Sequence, residues 1–408
     1  MKKLTLPKHF CPQPFDYIYT NVRGTWRPCC KATTDVSVAA TKETSFEEWW
    51  FENKNLNDLR DEFLTKPGER IKNLCDACFG PESRGITSYR QEQKVTNHTL
   101  DCVKNYKNTG MSLAKGRFMM LKPKGFSNTC NLACYMCSAH ISSKKYSEAL
   151  RLNRKESFEI FGYTSKEDMK EKTRPLNKKI NTDKNLKKYL DLIENYGHHV
   201  NNVNLSGGEP TLIDGNFRIL DKLIETGHSK YVHLHFNSNL SKKAMYEKNF
   251  IEYIDKFKRI NIQGSIDHIF EKDEWIRYPT KFKEVIKNFE VLKNFKNVNV
   301  SANITWSLLN VEDAKIIVEW FAQNNIKIAR PINFVHFPKE LHVSNHPYRE
   351  KLSEEYMQSE NFIIKSIGKE LKLIPDTNGL IKAIKYIKEL DSIRKTDATK
   401  LWRWINDY

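Results

Sequence analysis

The chain has 408 residues and carries 67 Lys and Arg against 50 Asp and Glu, a net charge of +17. That length exceeds one ordinary domain, and hydrophobic residues at 39% are enough to bury a sizeable core. No apolar run approaches the ~18 residues of a membrane span. The residues after Met1-Lys2-Lys3 also lack the apolar segment of a secretory signal, so a cytoplasmic location is expected. The nine cysteines are odd in number and clustered, a pattern that in a reducing compartment points to metal binding or chemistry rather than disulfides. The basic residues are spread along a chain rich in Lys and Asn. The charge leaves a nucleic-acid partner open but reads more simply as a solvated surface.

Residues 1 to about 100 are loop-rich and hold five of the cysteines plus part of their surroundings. Cys11-Pro12-Gln13-Pro14-Phe15 leads into an alternating strand at Tyr17-Ile18-Tyr19. Asn21 to Gly24 reads as a hairpin turn, and Trp26-Arg27-Pro28-Cys29-Cys30 returns from it. Antiparallel neighbours lie about 5 Å apart, so the hairpin brings a cysteine from each open end together. Ser45 and Glu48 form a capping box at the start of a helical stretch, and a second helix spans Leu56 to Phe63. Then comes Cys75-Asp76-Ala77-Cys78, a metal-type pair. With Cys11 and Cys29 it makes a four-thiolate set closed to outside ligands, which zinc or an iron–sulfur cluster would satisfy equally. Either Cys29 or Cys30 could be the member of that set.

A buried strand is expected at Phe118 to Leu121, feeding a loop with Cys130, Cys134 and Cys137 spaced C-x3-C-x2-C. A cubane iron–sulfur cluster takes four thiolates. Three local ones leave one iron open, as a catalytic metal site requires. Residues 141–155 read as helix, and the charged, weakly periodic stretch 156–184 as an insertion or mobile lid. A helix near Leu186 to Asn195 precedes a strand that ends in Ser206-Gly207-Gly208-Glu209-Pro210. There two glycines let backbone approach a ligand, and Glu209 would project a carboxylate.

The remainder alternates. Helix 214–226 precedes strand 231–236, and helix 242–257 precedes strand 260–267. Helix 281–293 precedes strand 298–305, and helix 311–324, with Asn310 at or beside its N-cap, precedes strand 332–335. Six parallel strands wound in one sense give a partial (β/α)6 barrel open on one side, an α/β fold. His233 and His235 share one strand face by period two and are expected to line the barrel. After residue 345 the chain turns helical, including Leu380 to Leu390, and is expected to pack on the open side or on the cysteine-rich region.

The triplet Cys130, Cys134 and Cys137, followed about 70 residues later by Gly207-Gly208-Glu209-Pro210, resembles the signature of the radical S-adenosylmethionine enzymes. That resemblance implies a [4Fe–4S] cluster on the three cysteines and S-adenosylmethionine on its open iron. One-electron cleavage would then yield a 5′-deoxyadenosyl radical. It implies further that Ser206, Gly207, Gly208 and Glu209 meet the amino group of the methionine moiety. Asn239, Ser265 and Asp267 fall where ribose and carboxylate contacts lie, and Arg277 is a further carboxylate candidate. The backbone at Met136 would lie near adenine, although that position is often aromatic in the family. The pattern of Cys11, Cys29, Cys75 and Cys78 resembles the twitch or SPASM region, which implies an auxiliary [4Fe–4S] cluster. In those relatives the region usually follows the barrel, whereas here it precedes it.

The expected organisation is a cysteine-rich domain over 1–100, a barrel over 112–340 and a helical extension over 341–408. The implied partners are a peptide or protein substrate and an electron donor such as flavodoxin or ferredoxin. The alternatives are radical modification of nucleic acid or a nucleotide-like molecule, and a zinc-stabilised binding protein without catalysis.

Overall fold

The computed structural model describes residues 5–20, 25–32, 44–83, 88–124, 126–173, 180–329 and 332–408, with only the backbone at 180–182. The turn at Asn21 to Gly24, the loop residue Gly125 and part of the charged stretch lie outside the described residues. Nine strands are found among those described: β1 (Tyr17–Thr20), β2 (Trp26–Arg27), β3 (Met119–Lys122), β4 (Val200–Asn204), β5 (His233–Ser238), β6 (Arg259–Ser265), β7 (Val298–Asn303), β8 (Thr305–Trp306) and β9 (Asn333–Phe334). The main sheet runs β2-β1-β3-β4-β5-β6-β7. Every pair from β1 to β7 is parallel except the antiparallel β1–β2 hairpin at the edge.

From β3 to β7 the strands sit in chain order without a reversal, so the crossovers all stay on one face and the sheet curls into a partial barrel. The sixth expected strand is present in pieces. Ile328 bridges Ala302, and β9 pairs in parallel with β8, Thr305 opposite Asn333.

Register divides the sheet into two chemistries. Leu121, Val203, Leu234, Phe236, Ile260, Ile262 and Ala302 point to one side and are buried against the helices Ile180–Tyr196, Asp214–Glu225, Phe282–Lys293 and Ala314–Gln323. Each helix presents an apolar stripe at 3.6-residue spacing, such as Phe217, Leu220 and Leu223. The other side is polar. Tyr17, Tyr19 and Lys122 register with Asn202, Asn204, His233, His235 and Asn237, then with Asn261, Gln263 and Ser265, and finally with Asn299, Ser301 and Asn303. Among the described residues no crossover helix covers this side, so it is the barrel interior, and His233 and His235 line it as expected.

Three expectations are corrected. The boundary near residue 100 does not separate two folding units, because β1 hydrogen-bonds to β3, Tyr17 opposite Met120 and Tyr19 opposite Lys122. Phe15, Ile18, Trp26, Trp49 and Trp50 join the same core as Leu121 and Val203. Within the charged stretch, the described part forms the helices Lys155–Glu159 and Lys166–Thr173. Phe158, Ile160, Phe161 and Met169 there are buried against Tyr386, Ile387 and Leu390, so this is a packed layer and not a lid. The expected helix 242–257 breaks into Lys242–Tyr246 and a 3-10 turn at Phe250–Lys256 around Asn249, whose φ of 48° interrupts the ladder. The C-terminal helix Gly379–Arg394 lies over the Cys130–Cys137 loop, giving that loop its own second core.

Candidate active site at the C-terminal rim of the barrel

Residues that follow the C-terminal ends of parallel strands gather on one rim, the position where α/β barrels present their chemistry. The loop after β3 and the Ser206–Pro210 turn after β4 are neighbours there. Glu209 donates its backbone N–H to the Thr129 carbonyl at 2.8 Å, and Ser206 Oγ donates to the Pro123 carbonyl at 2.8 Å. Gly207 has φ +134°. Gly208 leaves no room for a side chain, since a Cβ would stand 2.4 Å from the Thr129 carbonyl oxygen and 2.5 Å from that of Asn128. Two glycines are therefore required by the packing of the turn against the cysteine loop, as well as by any ligand.

All three thiols of the loop are free and interact with one another. Burial pushes the Cys130 thiol up to about 12. A hydrogen bond from Cys137 brings Cys134 down to about 7 against the cost of burial, with the guanidinium groups of Arg277 and Arg394 adding to the effect. The Leu132 amide lies 3.5 Å from Cys130 Sγ. Three unbridged thiols, one buried and two half-buried, form a soft donor set that, once deprotonated, is suited to an iron–sulfur cluster.

The backbone between the cysteines is fixed on both edges. Ala133 donates to the Tyr278 carbonyl at 2.7 Å and Tyr135 to that of Ile276 at 2.9 Å. Their own carbonyls accept from Arg394 Nη2 at 2.5 Å and Tyr386 OH at 2.9 Å. Arg394 also pairs with Glu148 at 2.6 Å, and Lys145 bridges Glu148 at 2.7 Å and Tyr386 at 2.6 Å. Despite burial, which alone would raise it, Lys145 and Arg394 hold the Glu148 carboxyl down at about 2.

The other candidates divide. Asn239 is buried and acts as a tie. Its amide N–H donates to Glu209 Oε2 at 2.7 Å and its Nδ2 to Asn131 Oδ1 at 2.9 Å. Glu209 does not project outward, which corrects the expectation. Its carboxylate is 1% exposed, also accepts from Thr211 at 2.9 Å, and is raised above the usual carboxylate range by burial. Asp267 is likewise not free for ribose hydroxyls. It is fully buried, and its two oxygens accept from the Thr305 amide and from Arg277 Nη1, each at 2.8 Å. Arg277 is thus an internal partner of Asp267, with its Nε left without a protein acceptor. Ser265 remains half-buried on the polar interior face, and Met136 is half-buried against the second core. Asn310 is not an N-cap; its side chain donates to the carbonyls of Asp267 and Thr305.

Away from the loop, Cys11, Cys29, Cys75 and Cys78 line one cavity together with Tyr89 and Arg90. Burial raises the thiols of Cys11 and Cys75, the latter to about 12. Cys30 is not part of that lining. The neighbouring Cys29 thiol, with Lys122, Tyr17 and Tyr89 close by, brings it down to about 5 against the cost of burial. Of the two cysteines between which the sequence left the choice open, Cys29 is the one that lines the cavity. The ninth cysteine, Cys102, is buried in the core. Sequence reasoning missed Arg394, Glu148, Lys145 and Tyr386, which carry no motif and meet across up to 246 positions of chain.

Residues 125–321 match the family model of the radical SAM superfamily, a stretch that begins just ahead of the cysteine loop and ends in the last barrel helix. The chain therefore carries a radical SAM domain, the domain of an enzyme superfamily. No curated protein matches it. Among solved structures it is similar to native anSMEcpe with bound AdoMet, at 17% identity over 52% of this chain and 51% of that one, TM-score 0.34. It is also similar to Streptococcus suis SuiB bound to S-adenosylmethionine, at 14% identity over 88% and 66%, TM-score 0.34. For SuiB bound to the precursor peptide SuiA the figures are 12% over 85% and 64%, TM-score 0.34. The chain spans about half the length of the first of these. Among the described residues, no helix is long and apolar enough to cross a membrane.

Gly208→Ala should push the turn away from Thr129 and lower the denaturation midpoint, because a Cβ there meets two backbone carbonyls; equal midpoints for parent and variant would contradict the close approach. Glu148→Gln should destabilise the protein by about 3–5 kcal/mol, because two buried cations lose their carboxylate. The sign with pH follows from the depressed carboxyl. Its stabilisation is complete above its ordinary value of 4.5 and is lost as pH falls toward about 2. Denaturant titrations across that window should show the parent converging on the variant.

Proposed function

We propose that this protein is a radical S-adenosylmethionine enzyme whose substrate is a peptide or protein. The observation that carries the reading is the meeting of the Cys130–Cys137 loop with the Gly207-Gly208 backbone on the C-terminal rim, Glu209 N–H to Thr129 at 2.8 Å. Cys130, Cys134 and Cys137 would hold a [4Fe–4S] cluster, and Ser206, Gly207 and Gly208 would border the methionine end of S-adenosylmethionine. Bound together, those cofactors supply one-electron cleavage of the sulfonium and a radical able to abstract hydrogen from substrate.

The residues of the chain itself have definite tasks. Arg277 and Arg394 favour the charged form of Cys134. The layer of Phe158, Phe161, Tyr386 and Trp402 keeps water from the back of the loop. Glu209 and Asn239 lock β4 and β5 to Asn131, which sets the position of the glycine turn. Ser265 and the backbone at Met136 would serve the adenosyl moiety.

The barrel interior supports a peptide. Asn202, Asn204, Asn237, Gln263 and Asn303 offer neutral amide donors and acceptors, which match the groups of a peptide backbone. Lys122 on the same face favours the competing reading of a nucleotide-like substrate. Cys11, Cys29, Cys75 and Cys78 would hold the auxiliary [4Fe–4S] cluster of a twitch-like region, exchanging electrons with the first cluster or with a flavodoxin or ferredoxin.

Anaerobically reconstituted protein should contain roughly eight irons per chain, four per cubane, and release 5′-deoxyadenosine from S-adenosylmethionine under a strong reductant. Cys134→Ala should abolish that release and keep roughly four irons, while Cys75→Ala should also fall to roughly four. A zinc-only protein without iron would sink the reading. Peptide addition should stimulate 5′-deoxyadenosine formation; stimulation by RNA instead, lost as salt rises, would favour the nucleotide substrate.

A further inference from the structure

A second group of potential ligands lies on the same rim and takes no part in the site above. His336 follows β9 by two residues, His342 lies in the turn between two 3-10 segments, and Glu370 ends the helix Phe362–Glu370. One ligand atom from each lies within 4.8 Å of the others. The imidazoles of His336 and His342 stack at 5.6 Å with an interplanar angle of 23°, and His342 Nε2 stands 3.1 Å from Glu370 Oε1. Three separate elements thus converge on a space that a cation would fill.

We propose that His336, His342 and Glu370 bind one divalent cation of the zinc class, with a coordination position left open toward solvent. Two imidazoles and one carboxylate are a donor set that zinc uses where a fourth position stays exchangeable. His342 is buried and Glu370 half-buried, which fixes two ligands, while His336 is exposed and joins them from the solvent side.

Ser344 faces His342 Nδ1 with both its hydroxyl and its amide. Its hydroxyl lies 2.9 Å from His342 Nδ1 and can accept that proton, leaving the Nε2 lone pair for the metal. The Ser344 amide also points at Nδ1, at 3.1 Å. In the metal-free protein it therefore favours the tautomer in which Nε2–H donates to Glu370, so binding the cation moves that proton from Nε2 to Nδ1. Because β9 runs parallel to the barrel strands, the site opens at the end of the barrel where Cys130 lies.

The assignment does not rest on the radical reading, and one experiment separates them. Full-length protein with its clusters reconstituted anaerobically is exposed to zinc chloride and desalted. Zinc and iron are then counted by mass spectrometry, and the zinc shell is read by X-ray absorption. One zinc per chain is expected, with nitrogen and oxygen neighbours only. His336→Ala, a change at an exposed position, and Glu370→Gln should each lower zinc to background with iron unchanged. Ser344→Ala should weaken zinc binding about 10–100-fold. No retained zinc, zinc unchanged in His336→Ala, or sulfur in its shell would overturn the proposal. Iron content reports on the cluster reading alone.

Discussion

A carboxylate between two buried cations anchors the working end of this molecule. Glu148 is 3% exposed and meets Lys145 and Arg394, and both cations pass the order on, Arg394 to the Ala133 carbonyl directly and Lys145 to that of Tyr135 through Tyr386. A loop of three cysteines has no regular ladder of its own, so its carbonyls need partners from elsewhere. The C-terminal helix supplies them. Isolated buried charges are expensive, and this set is tolerable because each member is paired and hydrogen-bonded. Removing any one would leave the others uncompensated directly behind Cys134.

The other edge of the loop depends on glycine. Gly208 brings the end of β4 into backbone contact with Asn128 and Thr129, and Glu209 and Asn239 extend the tie to β5. The loop is therefore held from one side by the barrel and from the other by the second core. Asp267 and Arg277 complete the arrangement. Their pairing at 2.8 Å satisfies a buried carboxylate and sets a guanidinium beside the Cys134 thiol.

What the sequence made legible were short-range signals. The cysteine triplet, the glycine turn, the capping box of Ser45 and Glu48 and the period-two strands depend on neighbours within a few residues. Long-range pairings left no such trace. The addition of β1 to β3 joins positions about a hundred residues apart, and a four-residue strand looks the same as hairpin or barrel edge. Asp267 and Glu209 looked like ligand contacts because a carboxylate at a strand end carries no sign of its partner. Thr305, Arg277, Thr211 and Asn239 decide that they face inward. The packed layer at 155–173 was hidden because Phe158, Phe161 and Met169 are scattered among charges, and their common partner is the distant helix Gly379–Arg394.

The central claim is that Cys130, Cys134 and Cys137 hold a cluster with one iron open to S-adenosylmethionine, beside the Gly207-Gly208 turn. Electron paramagnetic resonance of the reduced, reconstituted protein tests it most directly. Adding S-adenosylmethionine should change the g-values of one reduced cluster and leave the other unchanged, and the responsive signal should be missing in Cys134→Ala. A spectrum indifferent to S-adenosylmethionine, or a response that survives in Cys134→Ala, would contradict it.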